Sequence, residues 1–251
     1  MKLAVVGQNS PALAEQLKAR GIALCAPADS DLLIPYGGDG TLLGAERDFP
    51  GIRKYPIRDE ETAPLCAKHK LAIQLDALFA GQLKLSQIKR LKAEFGSAEI
   101  YAMNDIFIHN KNHASALRYK IWIDGELYSH EIVGDGVGVA TVHGSTAYFR
   151  SITHSVFRVG IGLAFSNSTE LVNHMILPET SEVRVKINRG PGEMVADNYT
   201  HPVLMQVGDE CRISLSKEAS EFLGMDIFMC PECRHLRHEY RHSFFKPEGA
   251  K

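Results

Sequence analysis

Apolar residues at the start of the chain form a short continuous run and then a helix-spaced pair. Leu3 to Val6 are all apolar and predict a buried strand. The segment Asn9-Ser10-Pro11 follows with a capping residue and a proline suited to a first helical turn. Leu13 and Leu17 would share one helix face, and Gly21 is a plausible C-terminal stop. The pattern therefore predicts a strand followed by a helix.

The same alternation continues into a glycine-rich turn. Residues Ile22 to Leu24 and Leu32 to Ile34 predict two further strands. The second of these runs into Gly37-Gly38-Asp39-Gly40-Thr41, after which Leu42, Leu43 and Ala45 suit a helix. An order of strand, glycine turn and helix is how open α/β sheets place ligand sites at the ends of their strands. We therefore predict an open, doubly wound α/β domain here.

The middle of the chain is predicted to be helical and then to change character. Residues 49–64 are rich in proline, charge and glycine, which indicates a loop. The spacing predicts helices within residues 63–83 and over residues 86–95, with Gly96 as the stop.

From residue 100 onward the pattern is typical of β-strands. Residues 106–108 are apolar, and apolar and polar residues alternate over 117–123. Asp124-Gly125 then interrupts the alternation and predicts a hairpin turn, and the alternation returns at 183–187 and 213–215. We predict an α/β domain over residues 1–96, a β-rich nucleotide-binding domain over 97–228 and a C-terminal tail over 229–251.

Composition narrows the class of protein. The chain has 251 residues, 45% hydrophobic and 23% charged, which suits two globular domains. The net charge of -2 argues against binding nucleic acid or anionic membranes through bulk charge. No apolar run is long enough to span a bilayer, and the N-terminal run stops at Gly7 without the apolar core of a secretory signal. Five cysteines favour reduced thiols, so we predict a cytoplasmic protein.

The glycines of the first turn indicate contact with phosphate. Gly37, Gly38 and Gly40 would let backbone N–H groups approach phosphate oxygens at the start of the next helix. Asp39 would repel phosphate, so at such a site it would hold Mg²⁺ or take a proton from an attacking hydroxyl. The alternative is a tight turn in which Asp39 only caps the following helix.

Two further polar segments carry candidate chemistry. Asn104-Asp105 could hydrogen-bond a ribose diol, or could be a polar pair at a bend in a sheet. In the run GDGVGVATVHGSTAY, residues 134–148, small hydroxyl side chains would offer hydrogen bonds and Tyr148 a ring to pack on a base. The alternative is that Ser145 or Thr146 is only the N-cap of a helix.

Together these segments resemble the NAD kinase family. The GGDGT turn, the Asn-acid pair and the GSTAY run occur in the order and at separations similar to those of that family, over most of the chain. The resemblance implies an N-terminal α/β domain, a β-sandwich-like C-terminal domain and an active site in the cleft between them. It further implies transfer of a phosphoryl group from ATP or polyphosphate, with a divalent metal such as Mg²⁺, to the 2′-hydroxyl of the adenosine ribose of NAD.

The resemblance also assigns roles by position. Asp39 would be the general base, and Gly37, Gly38, Gly40 and Thr41 would form the phosphate turn. Asn104 and Asp105 would bind NAD. The nucleotide pocket would be lined by Thr141, Ser145, Thr146, Ala147 and Tyr148. Family members are commonly dimers or tetramers, which implies a homo-oligomer. The chain departs from the family at several substrate-side positions, including Asp105 where glutamate is usual and Val142-His143 before GSTAY.

These departures leave two alternatives open. One is a kinase for another hydroxyl acceptor, such as a nucleoside, a nucleotide or a lipid. The other is a non-catalytic dinucleotide-binding sensor, although Asp39 within an intact GGDGT argues against it because binding alone gains little from a carboxylate beside phosphate.

The C-terminal tail contains half of a metal motif. Cys230 and Cys233 have the turn spacing of a zinc site, and His235, His238 and His242 follow. Only one cysteine pair is present there, so a full tetrahedral site would need one or two of these histidines or a second chain. We therefore favour a reduced, solvent-facing tail over zinc at Cys230 and Cys233. We keep two interpretations of the arginines that follow Cys233: a basic helix face, or a tail that meets phosphate.

Overall fold

A computed structural model describes residues 1–59 and 67–233 of the chain. The contacts divide it into two compact units, Met1–Gln87 with Ser220–Lys251 and Ile88–Ala219. Our predicted domain boundaries, after residues 96 and 228, remain predictions. Within the described residues, no helix is both long and apolar enough to cross a membrane.

Five helices and fifteen strands are defined over the described residues. The helices are α1 (Ser10–Ala19), α2 (Asp39–Asp48), α3 (Leu71–Phe79), α4 (Tyr148–Thr153) and α5 (Met225–Phe228). The first eight strands are β1 (Leu3–Val6), β2 (Leu32–Pro35), β3 (Arg53–Lys54), β4 (Leu85–Phe95), β5 (Ala98–Ala102), β6 (Asp105–Asn110), β7 (Leu117–Ile123) and β8 (Glu126–Gly134). The others are β9 (Gly136–Ala140), β10 (Ile161–Ser166), β11 (His174–Leu177), β12 (Val183–Arg189), β13 (Gly192–Ala196), β14 (Val203–Met205) and β15 (Glu210–Leu223).

A small parallel sheet forms the first unit. β1 pairs with β2, β2 with β3, and β3 with the end of β15 through Lys54 and Phe222, all in parallel. All four residues of β2 are buried. Continuous apolar runs are expected in such strands because helices cover both faces of a parallel sheet.

Helices cover the two faces of this sheet. Leu13 and Leu17 of α1 and Leu75 and Leu78 of α3 pack in one apolar cluster with the strands. Ala45 of α2 packs in a separate cluster on the other side of β1 and β2. The prediction of an open, doubly wound α/β domain is therefore confirmed.

Two local predictions in this unit are wrong. The expected strand at 22–24 is only a single parallel bridge between Leu24 and Leu3. Asn9 precedes α1, but its side chain makes no capping hydrogen bond. Instead the Asn9 amide donates to the carboxylate of Asp59 at 2.7 Å, because a buried carboxylate requires a donor. Gly21, with φ of +78°, follows the helix as predicted.

The segment predicted as a loop over residues 49–64 is partly ordered as sheet. It contains β3, and Ile57 forms a parallel bridge with Tyr36. Tyr55 and Ile57 are completely buried. Lys54 is also buried, where its ammonium lies 2.5 Å from a carboxylate oxygen of Glu46. Lys54, one of the charged residues that indicated a loop, is therefore paired inside the unit, and residues 60–66 lie outside the described part.

The prediction of a helix over residues 86–95 is wrong. This segment is β4, which pairs antiparallel with β5 from Leu91 opposite Ala102 to Phe95 opposite Ala98. Gly96, with φ of +58°, lies in the hairpin turn and does not end a helix. The spacing of apolar residues fits both structures over so short a stretch, and the pairing partner decides between them. The helical prediction over 63–83 is confirmed only for α3.

The second unit contains two layers of antiparallel strands. One sheet has the order β11-β10-β9-β6-β13-β14. In the other layer β12 lies between β15 and β7, and β7 pairs with β8. A single apolar cluster draws on strands of both layers, including Ile108, Val139 and Val185. This is the expected mostly β, sandwich-like domain.

The hairpin and tail predictions have different outcomes. Asp124 and Gly125, with φ of +54° and +85°, connect β7 to β8 as predicted. The expectation that the tail faces solvent is wrong for Cys230 and Cys233, which are 4% and 5% exposed. The predictions for His235, His238, His242 and the tail arginines concern residues 234–251, which lie outside the described part.

Candidate active site

The GGDGT segment forms a tight turn between β2 and α2. Gly37 has a φ of +155°, and a Cβ there would lie 2.4 Å from the hydroxyl oxygen of Thr41. The Gly37 N–H donates to the carbonyl of Ile57 at 2.9 Å. Gly38 is the N-cap of α2, and its carbonyl accepts the Thr41 N–H. The turn therefore requires glycine at position 37 and brings the chain directly into the helix.

Asp39 is the first residue of α2 and points toward solvent. Its side chain is 66% exposed, and α2 has no capping hydrogen bond from a side chain at its N-cap. One carboxylate oxygen accepts a hydrogen bond from the guanidinium of Arg58 at 2.9 Å. The carboxylate is thus held in a defined position while it remains accessible.

Arg58 is a residue that sequence reasoning missed. Its side chain is only 8% exposed, its Nε donates to the carbonyl of Phe228 at 3.2 Å, and its guanidinium stacks on the Phe228 ring at 4.1 Å. Because Arg58 follows the buried Ile57, it lies beside the end of β2, close to Asp39. The alternation of Tyr55, Ile57 and their charged neighbours was the available signal for a strand here.

In the second unit, the Asn104-Asp105 pair is joined to the loop that carries GSTAY. The Thr141 N–H donates to the carbonyl of Asn104 at 2.8 Å. The Thr141 hydroxyl donates to the carbonyl of Met103 and accepts from the N–H of Gly144, at 2.7 and 3.0 Å. Gly144 packs so closely that a Cβ would lie 2.1 Å from the Asn104 carbonyl oxygen. Hydrogen bonds and close packing therefore join two segments that are 40 residues apart in sequence, from 104 to 144.

Asp105, the acid of the Asn-acid pair, is buried. It is 7% exposed, and its carboxylate accepts the backbone N–H of Tyr148. Burial, with the neighbouring charge of Asp197, raises the pKa of Asp105 to about 7. The Asp197 carboxylate itself accepts the N–H groups of residues 103, 104 and 105. Asp197 therefore fixes the backbone of the Asn-acid pair, a role that the sequence did not reveal.

The residues of GSTAY fall into two groups. Ser145 is 2% exposed and its hydroxyl donates to the carbonyl of Phe157 at 3.2 Å, whereas Thr146 and Tyr148 are exposed. Ala147 is the N-cap of α4, and no side chain caps that helix. The alternative in which Ser145 or Thr146 is only an N-cap is therefore wrong.

Tyr148 stands in an aromatic group beside a cavity. Its ring packs edge-on against Phe107 at 4.8 Å and lies 5.5 Å from His109. Burial lowers the pKa of His109, which favours the neutral ring. On its other side Tyr148 lines a cavity of about 500 Å³ whose wall includes the polar residues Asn167 and Glu170. Most of the lining side chains are polar, which suits a ligand that offers many hydrogen-bonding groups.

Comparison with known proteins agrees with the resemblance that these segments indicated. The NAD kinase of Clostridium beijerinckii is 28% identical over 204 residues, which are 77% of this chain and 69% of that enzyme. The NAD kinase of Brucella melitensis is 34% identical over 128 residues, 49% of each chain. The chain is therefore similar to NAD kinases, at a low identity. None of the family models matches it.

Solved structures support the NAD kinase fold. Yeast NADH kinase complexed with NADH superposes with a TM-score of 0.74 over 98% of this chain and 80% of that one, at 22% identity. An NAD kinase from Archaeoglobus fulgidus in complex with ATP also gives 0.74, over 96% of this chain and 99% of that one, at 19% identity. The NAD kinase fold is therefore retained at an identity too low to carry over individual residues.

Proposed function

We propose that this protein is an NAD kinase-like phosphotransferase that moves a phosphoryl group from ATP or polyphosphate to the 2′-hydroxyl of the adenosine ribose of NAD. The observation that carries the proposal is Asp39, an accessible carboxylate that begins a helix directly after a glycine turn and is held by Arg58. The Asp39 carboxylate pairs with Arg58 and remains open to solvent. It suits removal of a proton from a hydroxyl that attacks phosphorus.

The first unit would supply the phosphate turn and the base. Gly37, Gly38, Gly40 and Thr41 would place backbone N–H groups near the phosphate oxygens of the donor. Asp39 would accept the proton of the 2′-hydroxyl as the oxygen bonds to the terminal phosphorus and the bond to the leaving phosphate breaks. The hydrogen bond from Arg58 to one carboxylate oxygen leaves the other oxygen to receive that proton.

The second unit would bind the dinucleotide. Thr146 and Tyr148 are exposed, and the ring of Tyr148 would pack on a base or ribose beside the 500 Å³ cavity. Asn104 and Asp105 would hydrogen-bond the ribose. Thr141, Ser145 and Ala147 would act by fixing the loop, since the hydroxyls of Thr141 and Ser145 are buried on backbone carbonyls.

A divalent metal would depend largely on the phosphates of the donor. The described residues contain one group of three potential ligands from histidine, cysteine, aspartate and glutamate, and it holds two sulfur ligands that do not suit Mg²⁺. Mg²⁺ usually keeps several waters and binds substrate phosphates with one or two carboxylates, so here the donor phosphates and waters would supply most of its ligands. When bound, Mg²⁺ would neutralise charge on the transferring phosphoryl group.

The test is formation of NADP⁺ by the purified protein. The protein would be supplied with NAD⁺, Mg²⁺ and either ATP or polyphosphate, and with NADH in place of NAD⁺ in a parallel series. We expect Asp39→Asn to lower kcat by about 100-fold or more, because the amide cannot accept the proton.

Asp48→Asn is the matched control, since Asp48 is the last residue of the same helix and is also solvent-exposed. It should leave kcat unchanged. Absence of product with either donor and either acceptor, in a protein that still binds NAD⁺ by calorimetry, would contradict the proposal.

We further expect a homodimer or homotetramer, as the family resemblance implies, and a cytoplasmic location. Light scattering of the purified protein would measure the assembly.

A further inference from the structure

Three side chains of the types that bind metals meet in the first unit. They are His69, Cys230 and Cys233, and their ligand atoms all lie within 4.8 Å of one another. All three side chains are buried, at 6%, 4% and 5% exposure. His69 precedes Cys230 by 161 positions, so only the fold brings these side chains together.

The hydrogen bonding of His69 presents the correct nitrogen to the two sulfurs. Its Nε2 lies 2.7 Å from the carbonyl oxygen of Ile227. Because a carbonyl only accepts, Nε2 must carry the proton, which leaves the lone pair of a neutral ring on Nδ1. Nδ1 lies 3.5 Å from the sulfur of Cys233. A histidine that donates its second N–H to a backbone carbonyl is the usual arrangement of a metal-bound imidazole.

The distance between Nδ1 of His69 and Sγ of Cys233 matches that of two ligands on tetrahedral zinc. With Zn–S of about 2.3 Å and Zn–N of about 2.0 Å, two ligands on a tetrahedron are about 3.5 Å apart for nitrogen and sulfur and about 3.8 Å for two sulfurs. The observed 3.5 Å between Nδ1 of His69 and Sγ of Cys233 equals the first value. The Ile227 carbonyl also accepts the N–H of Cys230, at 3.0 Å, so the same backbone oxygen orients two of the three ligands.

We propose that His69, Cys230 and Cys233 bind one Zn²⁺ ion, with Nδ1 and the two sulfurs as ligands. Binding releases the two thiol protons, so the ion and two thiolates form a neutral group that can be buried without an unpaired charge. The fourth position is taken by water. The set of one nitrogen and two soft sulfurs favours zinc over Mg²⁺.

The zinc site has a structural consequence for the catalytic residue proposed above. It joins the short 3₁₀ turn Ala67–His69 to the chain that follows α5. Phe228, at the end of α5, supports Arg58, and Arg58 holds Asp39. We expect the metal to stabilise this arrangement rather than to contact the substrate, so the zinc proposal does not depend on the identity of the substrate.

The first experiment measures metal directly. The full-length protein would be purified without an affinity tag under a thiol-free reductant, and its zinc content determined by inductively coupled plasma mass spectrometry. We expect one zinc per chain. Replacement by Co²⁺ should give the near-ultraviolet thiolate charge-transfer bands and the visible bands of a tetrahedral site, and X-ray absorption should show two sulfur ligands.

Three variants test the ligands. Cys230→Ser, Cys233→Ser and His69→Gln should each lower zinc content and weaken Co²⁺ binding by at least about 10-fold, the scale expected when a ligand or its support is lost. Cys25→Ser is the matched control, because Cys25 is a half-buried thiol of the same unit whose hydrogen bond goes to the carbonyl of Leu3. It should bind as the wild type does.

A folded wild-type protein that contains no zinc and gives no thiolate bands on titration with Co²⁺ would overturn the proposal. Metal binding that survives all three substitutions would overturn it equally. If a variant does not fold, titration of the metal-free wild type with Zn²⁺ still decides the question. NADP⁺ formation is measured separately, so loss of zinc and failure of the phosphotransferase proposal are distinguishable.

Discussion

Gly144→Ala is expected to damage the dinucleotide-binding loop without touching the proposed base. An ideal Cβ at position 144 would lie 2.1 Å from the carbonyl oxygen of Asn104, 2.4 Å from its carbonyl carbon and 2.6 Å from its Cα. All three atoms belong to backbone, so no side-chain rotation can relieve the contact. The loop must move away from Asn104.

The size of that movement follows from van der Waals contact. Separations near 3.5 Å are needed between such atoms, so the loop must shift by about 1 Å or more. A shift of this size would strain the hydrogen bonds of Thr141 with Asn104 and of Tyr148 with Asp105. We expect a loss of about 1–3 kcal/mol in the free energy of unfolding from overpacking. We also expect kcat/KM for NAD to fall by about 100-fold, as for misplacement of a binding group by 1 Å.

The assay combines urea unfolding with steady-state kinetics of NADP⁺ formation. Gly44→Ala is the control, since Gly44 lies inside α2 and a Cβ there would meet only the Arg47 guanidinium at 3.5 Å. This substitution should stabilise the protein by up to about 1 kcal/mol, because alanine favours a helix over glycine. If Gly144→Ala unfolds at the wild-type urea concentration and retains kcat/KM within about threefold, the reasoning from close packing is refuted.

Three further predictions follow from buried or positioned charges. Lys54→Met should lower the free energy of unfolding by about 3–5 kcal/mol, because it removes the ammonium group that pairs with the buried Glu46 carboxylate. A second substitution, Glu46→Gln, should restore most of the loss in urea unfolding. Burial raises the pKa of Asp105 to about 7 in the native state. Between about pH 4 and 7, the native state therefore holds a proton at Asp105 that the unfolded state has already released. Wild-type stability should therefore fall across that window and level off above it, whereas Asp105→Asn should lack this component in thermal melts from pH 5 to 8. Arg58→Lys removes the stacking on Phe228 and should lower kcat with little change in KM, and an unchanged kcat would show that Arg58 does not position Asp39.

Particular segments show how much of the structure could be predicted from the sequence. The GGDGT turn and the Asp124-Gly125 hairpin were identified correctly because each depends on local requirements. Glycine alone tolerates the φ of Gly37, and a two-residue turn needs positive φ at both positions. The ligand-binding roles of these segments remain predictions.

Errors occurred where a distant partner decides the structure. Residues 86–95 became β4 because β5 offers a complete set of backbone hydrogen bonds, although the apolar spacing also suited a helix. The Asn9 side chain does not cap its helix, and its amide donates to Asp59, a partner 50 positions away.

By itself the sequence determined the fold class and the local turns, because periodicity and backbone sterics act over a few residues. The tertiary structure alone decided the partners of isolated polar side chains. Arg58 reaches Asp39 across 19 positions, Asp197 fixes the backbone at Asn104 across 93, and His69 meets Cys233 across 164. Such pairs leave no local pattern in the chain, because burial forces them together only after strands and helices have packed.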